Sequence, residues 1–280
     1  MIKDHFTTLK NNHPLFLKLK TENPVWWQLI KENIKQGSFY VDIRKDNSLN
    51  VYYNGGSLLK IILSRGKINC KIHEYYLGKT GSKYINYDPN YLPENGDDIK
   101  GRIASRYSDT SENGIKARLI CDPNTNYIDS EFAYPEVIGK IKNKHEKEVT
   151  AYKTTRIDLT KLENDKIVFV ELKRIQDSRL LTNEYERGKP EILDQMEAYH
   201  RFIKAHKEEI IVYYKTLFSI KRNLDILPKS MMNITNIDNY ELGENVELYI
   251  EPYTNLNPKR IQRIEAIKTI LDHNNIVHNL

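Results

Sequence analysis

Ile167-Val168-Phe169-Val170-Glu171-Leu172-Lys173 is an apolar, largely β-branched run that ends in alternating charge, an odd ending for a strand entering a core. In a strand, residues two apart share a face, so Glu171 and Lys173 point one way while Val170 and Leu172 point the other. Upstream lies Thr155-Arg156-Ile157-Asp158-Leu159, and Asn164-Asp165 between them reads as a two-residue hairpin turn. That turn sets Asp158 opposite Glu171 and gathers Ile157, Leu159, Val170 and Leu172 on the packed side. Directly opposed side chains have Cβ atoms about 5 Å apart. Two carboxylates at that separation repel by roughly 3 kcal/mol at an effective dielectric near 20. A divalent cation compensates best, because Mg²⁺ takes one or two carboxylates plus water and leaves room for a phosphate oxygen. Lys173 then stands where it can polarise the same phosphate or the attacking water. The competing reading is a surface hairpin with ordinary charged residues.

Downstream, Asp194-Gln195-Met196-Glu197-Ala198-Tyr199 falls in a helix predicted from about Pro190 to His206. Gln195 and Tyr199 are four apart and so lie on one helical face. Tyr199 also fits a core stripe with Ile192, Met196 and Ile203, whereas Gln195 is harder to explain as core. Ahead of Asp158, residues 139 to 156 carry Lys140, Lys142, Lys144, Lys147, Lys153 and Arg156 against Glu146 and Glu148, read as a basic loop feeding the Asp158 strand. Lys100, Arg102 and Arg106 precede the site, and Arg187 and Lys189 follow it. Such residues contact phosphates with little sequence information, and each is equally compatible with plain solvation.

Asp158 with Glu171-Leu172-Lys173 resembles the signature of the PD-(D/E)XK nuclease superfamily, over roughly residues 112 to 210. Ile157 stands where that signature has its proline. Gln195 and Tyr199 resemble the Gln-x-x-x-Tyr element of the branch that contains recombination-repair helicase-nucleases. The resemblance implies a mixed sheet flanked by helices, a restriction-endonuclease-like core, with Asp158 and Glu171 as metal ligands and Mg²⁺ as cofactor, Mn²⁺ substituting. It implies Lys173 as phosphate or water activator and Gln195 and Tyr199 as supports. A further carboxylate is expected ahead of Asp158. Tyr127-Ile128-Asp129-Ser130-Glu131-Phe132 reads as a strand with Asp129 and Glu131 on one face, and Glu131 is favoured as the auxiliary ligand over Glu112. The implied partner is DNA, with Lys140, Lys142, Lys144, Lys153 and Arg156 as backbone contacts; a homodimer or a larger nucleic-acid-processing complex is compatible.

The rest of the chain adds an N-terminal module. Two short helices in the first 36 residues, the second opened by Pro24 and stopped by Gly37, lead into a four-stranded antiparallel meander over residues 38 to 77. Residues 78 to 100 read as a connection, which divides the chain into a helical-plus-meander module at 1–98 and the α/β core with its C-terminal helices at 99–280. The last third is expected to hold strands at Lys153 to Leu162, Lys166 to Arg174 and Val246 to Pro252, with helices near Pro190, from Glu208 and from Pro258.

Composition sets the outer bounds. At 39% hydrophobic and 29% charged, the 280 residues exclude a disordered, collagenous or disulfide-scaffold protein. The longest apolar run, Ile210 to Tyr214, is far short of a bilayer span, and residues 1 to 16 lack a signal-peptide core, so a cytoplasmic, non-membrane protein is expected. Cys70 and Cys121 form neither a disulfide frame nor a zinc knuckle. Of the eight histidines only His200 and His206 approach ligand spacing, and that weakly. The net charge of +5 also suits AT-rich coding bias, given the wealth of Lys, Asn, Ile and Tyr. No phosphate-binding Gly-Lys-Ser/Thr loop occurs, so an intrinsic ATP motor is not supported. The main alternatives to an enzyme are a silent nucleic-acid-binding or partner-docking protein on the same fold, or a meander that recruits the nuclease to a defence or repair complex.

Overall fold

The structure, a computed structural model, describes residues 8–122, 124–142, 148–181 and 190–280. It is a mixed α/β protein with one antiparallel sheet and one mixed sheet flanked by helices. Two compact units are present: Met1–Asp129 with Lys161–Ile167 and Glu208–Leu242, and Ser130–Thr160 with Val168–Lys207 and Gly243–Leu280.

In the first unit, α1 (Pro14–Glu22) starts where His13 Nδ1 accepts from Leu15 N, with Pro14 in the first turn, and ends at Asn23 in the left-handed region. Helix α2 (Val25–Lys35) buries Trp26, Trp27, Ile30 and Ile34, one stripe of a 3.6-residue period. Strands β1 (Phe39–Ile43), β2 (Leu49–Tyr53), β3 (Gly56–Ser64), β4 (Lys67–His73) and β5 (Tyr84–Tyr87) pair in that order, each antiparallel to the last. The turns Asn54-Gly55 and Arg65-Gly66 both have positive φ at the two central residues, as a type I′ hairpin requires. Gly55 is needed twice over, since a Cβ there would lie 2.4 Å from the Asn113 carbonyl oxygen.

The stretch read as a connection is ordered. It contains β5 and α3 (Leu92–Arg106), so the expected division at 98/99 falls inside a helix. Gly96 and Asn95 look like linker residues, yet Leu92, Gly96, Ile99 and Ile103 repeat at helical spacing and are buried. Packing of that face outweighs the roughly 1 kcal/mol propensity cost of a mid-helix glycine. Helix α4 (Glu112–Ile120) follows, its first turn capped by Ser111 Oγ accepting from Gly114 N at 3.1 Å.

The mixed sheet is built from β6 (Tyr127–Lys142), β7 (Glu148–Glu163), β8 (Lys166–Arg174) and β10 (Glu247–Glu251), in the order β10-β8-β7-β6, with the two-residue β9 (Glu241–Leu242) also beside β8. The expected basic loop is thus strand on both sides of residues 143–147. β7 turns into β8 through Asn164 and Asp165, both at positive φ. β10 runs parallel to β8, with Leu248 beside Glu171 and Ile250 beside Lys173. Ile167 through Lys173 are all buried, so both faces of this strand are covered. Helices α5 (Glu191–Ala205), α6 (Lys207–Asn223) and α7 (Pro258–His273) complete the fold. No helix among the described residues is long and apolar enough to cross a membrane.

The first unit also buries Asp42, Asp129 and Lys221. Arg44 lies 3.4 Å and Lys221 4.0 Å from Asp42, Lys221 donates to the Ile128 carbonyl, and Tyr214 Oη donates to Asp129 at 3.3 Å. Burial first, and the Asp42 charge second, push Asp129 up to about 7.

Candidate functional site

The second unit brings Asp158, Glu171, Lys173, Gln195 and Tyr199 together. Asp158 on β7 accepts from the Leu172 backbone N–H through Oδ2 at 3.0 Å, which ties it across the strand pair beside Glu171. Glu171 and Lys173 are each 4% exposed. They share a face of β8, and Lys173 Nζ donates to Glu171 Oε1 and, at 3.2 Å, to the Leu172 carbonyl.

Helix α5 presses against that face. Its buried stripe of Ile192, Met196, Tyr199, Phe202 and Ile203 orients Gln195 and Tyr199 one turn apart. Gln195 Nε2 lies 2.7 Å from Glu171 Oε1 and 2.7 Å from Tyr199 Oη, so its two N–H protons serve both acceptors. Tyr199 Oη lies 2.9 Å from Glu171 Oε2 and 2.6 Å from the Arg156 carbonyl, two acceptors for one hydroxyl proton. Tyr199 therefore combines both sequence readings, with its ring in the core and its hydroxyl on the carboxylate.

The electrostatics follow from this packing. Burial and then the charge of Asp158 raise the Glu171 pKa, opposed by Lys173 and by the hydrogen bonds of Lys173 and Tyr199. The Tyr199 hydroxyl is also pushed up, by burial and the facing carboxylate, and stays a proton donor. Two carboxylates and one ammonium leave a net −1. A bound divalent cation would reverse that sign, turning the site attractive to a phosphodiester. Asp158 and Glu171 offer hard carboxylate oxygens, the ligand type that Mg²⁺ takes.

Of the other predicted residues, Arg156 meets this group through its backbone carbonyl. Among the described residues, no group of three or more His, Cys, Asp and Glu side chains is arranged to hold a metal ion. Glu131 is exposed and adopts φ +54°, which interrupts the strand alternation. Asp129 is buried, so the expectation that these two acids share a face fails at that backbone kink. Glu112 is exposed and pairs with Lys116 at 3.8 Å. Lys140 is exposed and 3.3 Å from Glu148. Lys153 and Arg156 are exposed, while the Lys142 side chain, Lys144, Lys147, Arg187 and Lys189 lie outside the described residues. Of the flanking cations, Lys100 stacks on Phe39, Arg102 binds the Tyr76 carbonyl and Arg106 stacks on Tyr75.

Sequence reasoning missed Asp177. It caps the turn after β8 and pairs with Arg179 at 2.6 Å, and the Arg179 hydrogen bonds lower its pKa against the upward pull of burial, with a smaller contribution from Lys173. The only local signal is Asp-Ser-Arg at a strand end, a common capping pattern. The Arg156 carbonyl carries no sequence signal, because any residue supplies one. The chain matches no protein-family model, no curated protein and no solved structure in comparisons with each.

Proposed function

We propose that the protein is a Mg²⁺-dependent phosphodiesterase acting on DNA, on a restriction-endonuclease-like core. The observation that carries this reading is a buried carboxylate, Glu171, held by Gln195, Tyr199 and Lys173 and tied beside Asp158. A structural ion pair needs one acid for one base. A second acid beside the pair, and two further side chains fixing the orientation of the first, fit a ligand site better. The resemblance of Asp158 and Glu171-Leu172-Lys173 to the PD-(D/E)XK signature supports the same assignment.

In this proposal Asp158 and Glu171 would hold the ion. When bound, the cation supplies charge neutralisation at the phosphate and eases deprotonation of the attacking water. Water attacks phosphorus in line with the leaving oxygen, losing a proton to solvent as the bond from phosphorus to that oxygen breaks and the leaving oxygen takes up a proton from solvent. Lys173 would donate to a non-bridging phosphate oxygen, stabilising charge that grows in the transition state. Gln195 and Tyr199 are positioning residues that keep both Glu171 oxygens in place. Lys140, Lys153 and Arg156, with Lys142 and Lys144, supply backbone phosphate contacts.

The test is incubation with plasmid and single-stranded DNA in Mg²⁺ or Mn²⁺, against chelator and against Asp158→Asn and Lys173→Ala. Cleavage that needs the ion and is lost in both variants supports the proposal. Cleavage equal in the variants, or none on any DNA or RNA, refutes it.

A further inference from the structure

A second site lies in the first unit, on the five-stranded sheet. Lys60 on β3 and Lys71 on β4 are directly opposed in the ladder, and Asn50 on β2 opposes Lys60 from the other side. Like charges in that relation repel, which makes the pair unexpected in the middle of a sheet. Both lysines are half-buried, and among the described residues neither ammonium has an ion-pair or hydrogen-bond partner. Asp46 acts on Lys60 only through its charge, because its carboxylate is held by Ser48 N at 3.0 Å and Ser48 Oγ at 2.6 Å.

These lysines line a cavity of about 580 Å³ together with Asn50, Ser57, His13 and Tyr84. That is the size of a small-ligand pocket. It lies on the face opposite Leu59, Ile61, Cys70 and Ile72, which are buried. Its lining holds one carboxylate, Asp46, already engaged by Ser48, against two ammoniums, the Ser57 hydroxyl and His13, whose Nδ1 accepts from Leu15 N and whose proton therefore sits on Nε2 in the neutral ring. One acceptor stands out, Asn50 Oδ1, which is buried without a hydrogen-bond partner. The Tyr84 ring and Ile62 and Leu63 give the cavity an apolar wall.

We propose that this cavity binds a phosphate-bearing ligand of nucleotide size, with the phosphate between Lys60 and Lys71 and the nucleoside against the Tyr84 wall. The anion removes the repulsion between the lysines, and a ribose hydroxyl or base N–H can satisfy Asn50 Oδ1. The site does not depend on the nuclease proposal, since all its residues lie in the first unit and none takes part in the Asp158 site. Its ligand is either a free nucleotide or the phosphorylated end of a strand.

Calorimetric titration of the full chain with AMP, adenosine and a 5′-phosphorylated dinucleotide, in chelator, tests this. AMP or the dinucleotide should bind, adenosine should bind at least tenfold more weakly, and Lys60→Gln or Lys71→Gln should each weaken binding by about tenfold, the cost of one charge-assisted hydrogen bond. Tighter binding of AMP identifies a free nucleotide, and tighter binding of the dinucleotide identifies a strand end. Asp158→Asn should bind unchanged. The urea midpoints of the Lys variants should equal or exceed that of the natural protein, which separates lost binding from lost folding. The proposal fails if neither phosphorylated probe binds, if adenosine binds as well as AMP, or if the lysine variants bind normally.

Discussion

Lys173→Met removes an ammonium from a carboxylate that has almost no access to water, since Glu171 is only 4% exposed. At an ion-pair separation of about 3 Å and an effective dielectric near 20, the lost attraction is roughly 5 kcal/mol. A cheaper response is open, because Glu171 can take up a proton. A free Glu titrates near 4.3, so keeping it neutral at pH 7 costs about 3.7 kcal/mol, at about 1.4 kcal/mol per pH unit. The destabilisation is therefore capped at about 4 kcal/mol at pH 7 and shrinks to about 1 kcal/mol at pH 5. The sign follows from the raised folded-state pKa of Glu171. Its contribution to stability is fully present below the unfolded pKa and is lost as pH rises through the folded one. Removing Lys173 pushes the folded value further up and widens that window. Urea unfolding of the variant and the natural protein from pH 5 to pH 8 measures the difference. Adding Glu171→Gln to Lys173→Met should recover most of the loss at pH 7. A loss that is independent of pH, or absent at pH 7, would refute the electrostatic account of the pair.

Tyr199→Phe deletes a hydroxyl within reach of Glu171, Gln195 and the Arg156 carbonyl; it should cost about 1–3 kcal/mol in urea unfolding and lower kcat more than it raises KM in the cleavage assay. Asp129 is held up to about 7 by burial and Asp42, so its contribution is present below the ordinary Asp range and lost as pH rises through about 7. Carbon-detected NMR should find its carboxyl titrating there, and Asp129→Asn should flatten that part of the stability profile. Gly55→Ala, at φ +80° and facing a 2.4 Å approach to Asn113 O, should cost on the order of 1–3 kcal/mol by thermal or urea unfolding; a neutral effect would mean that the β2–β3 turn relaxes freely.

What the sequence disclosed was whatever its local chemistry determines. Asn164-Asp165 accepts positive φ, so it marked the β7–β8 turn. The run from Ile167 to Val170 has no other stable home than a buried strand, and Gln195 and Tyr199 share a face by helical period alone. What it concealed depends on tertiary context. Gly96 reads as a breaker until the buried positions of Leu92, Ile99 and Ile103 on either side are known. Tyr84–Tyr87 is too short to declare itself and exists as an edge strand because β4 offers it a ladder. The positive φ of Glu131 cannot be read from strand alternation, which is why Asp129 and Glu131 part company. Carbonyl partners such as Arg156 O and Ile128 O are invisible in principle, since backbone oxygens carry no residue identity.

The proposed reaction requires that Asp158 and Glu171 share one divalent cation beside Lys173. A crystal structure with Mn²⁺, located by its anomalous scattering, tests this most directly. The expected result is one ion coordinated by both carboxylates, with Lys173 Nζ turned away from Glu171. An intact Lys173–Glu171 pair with no ion between the two acids, at Mn²⁺ concentrations that support any cleavage, would contradict it.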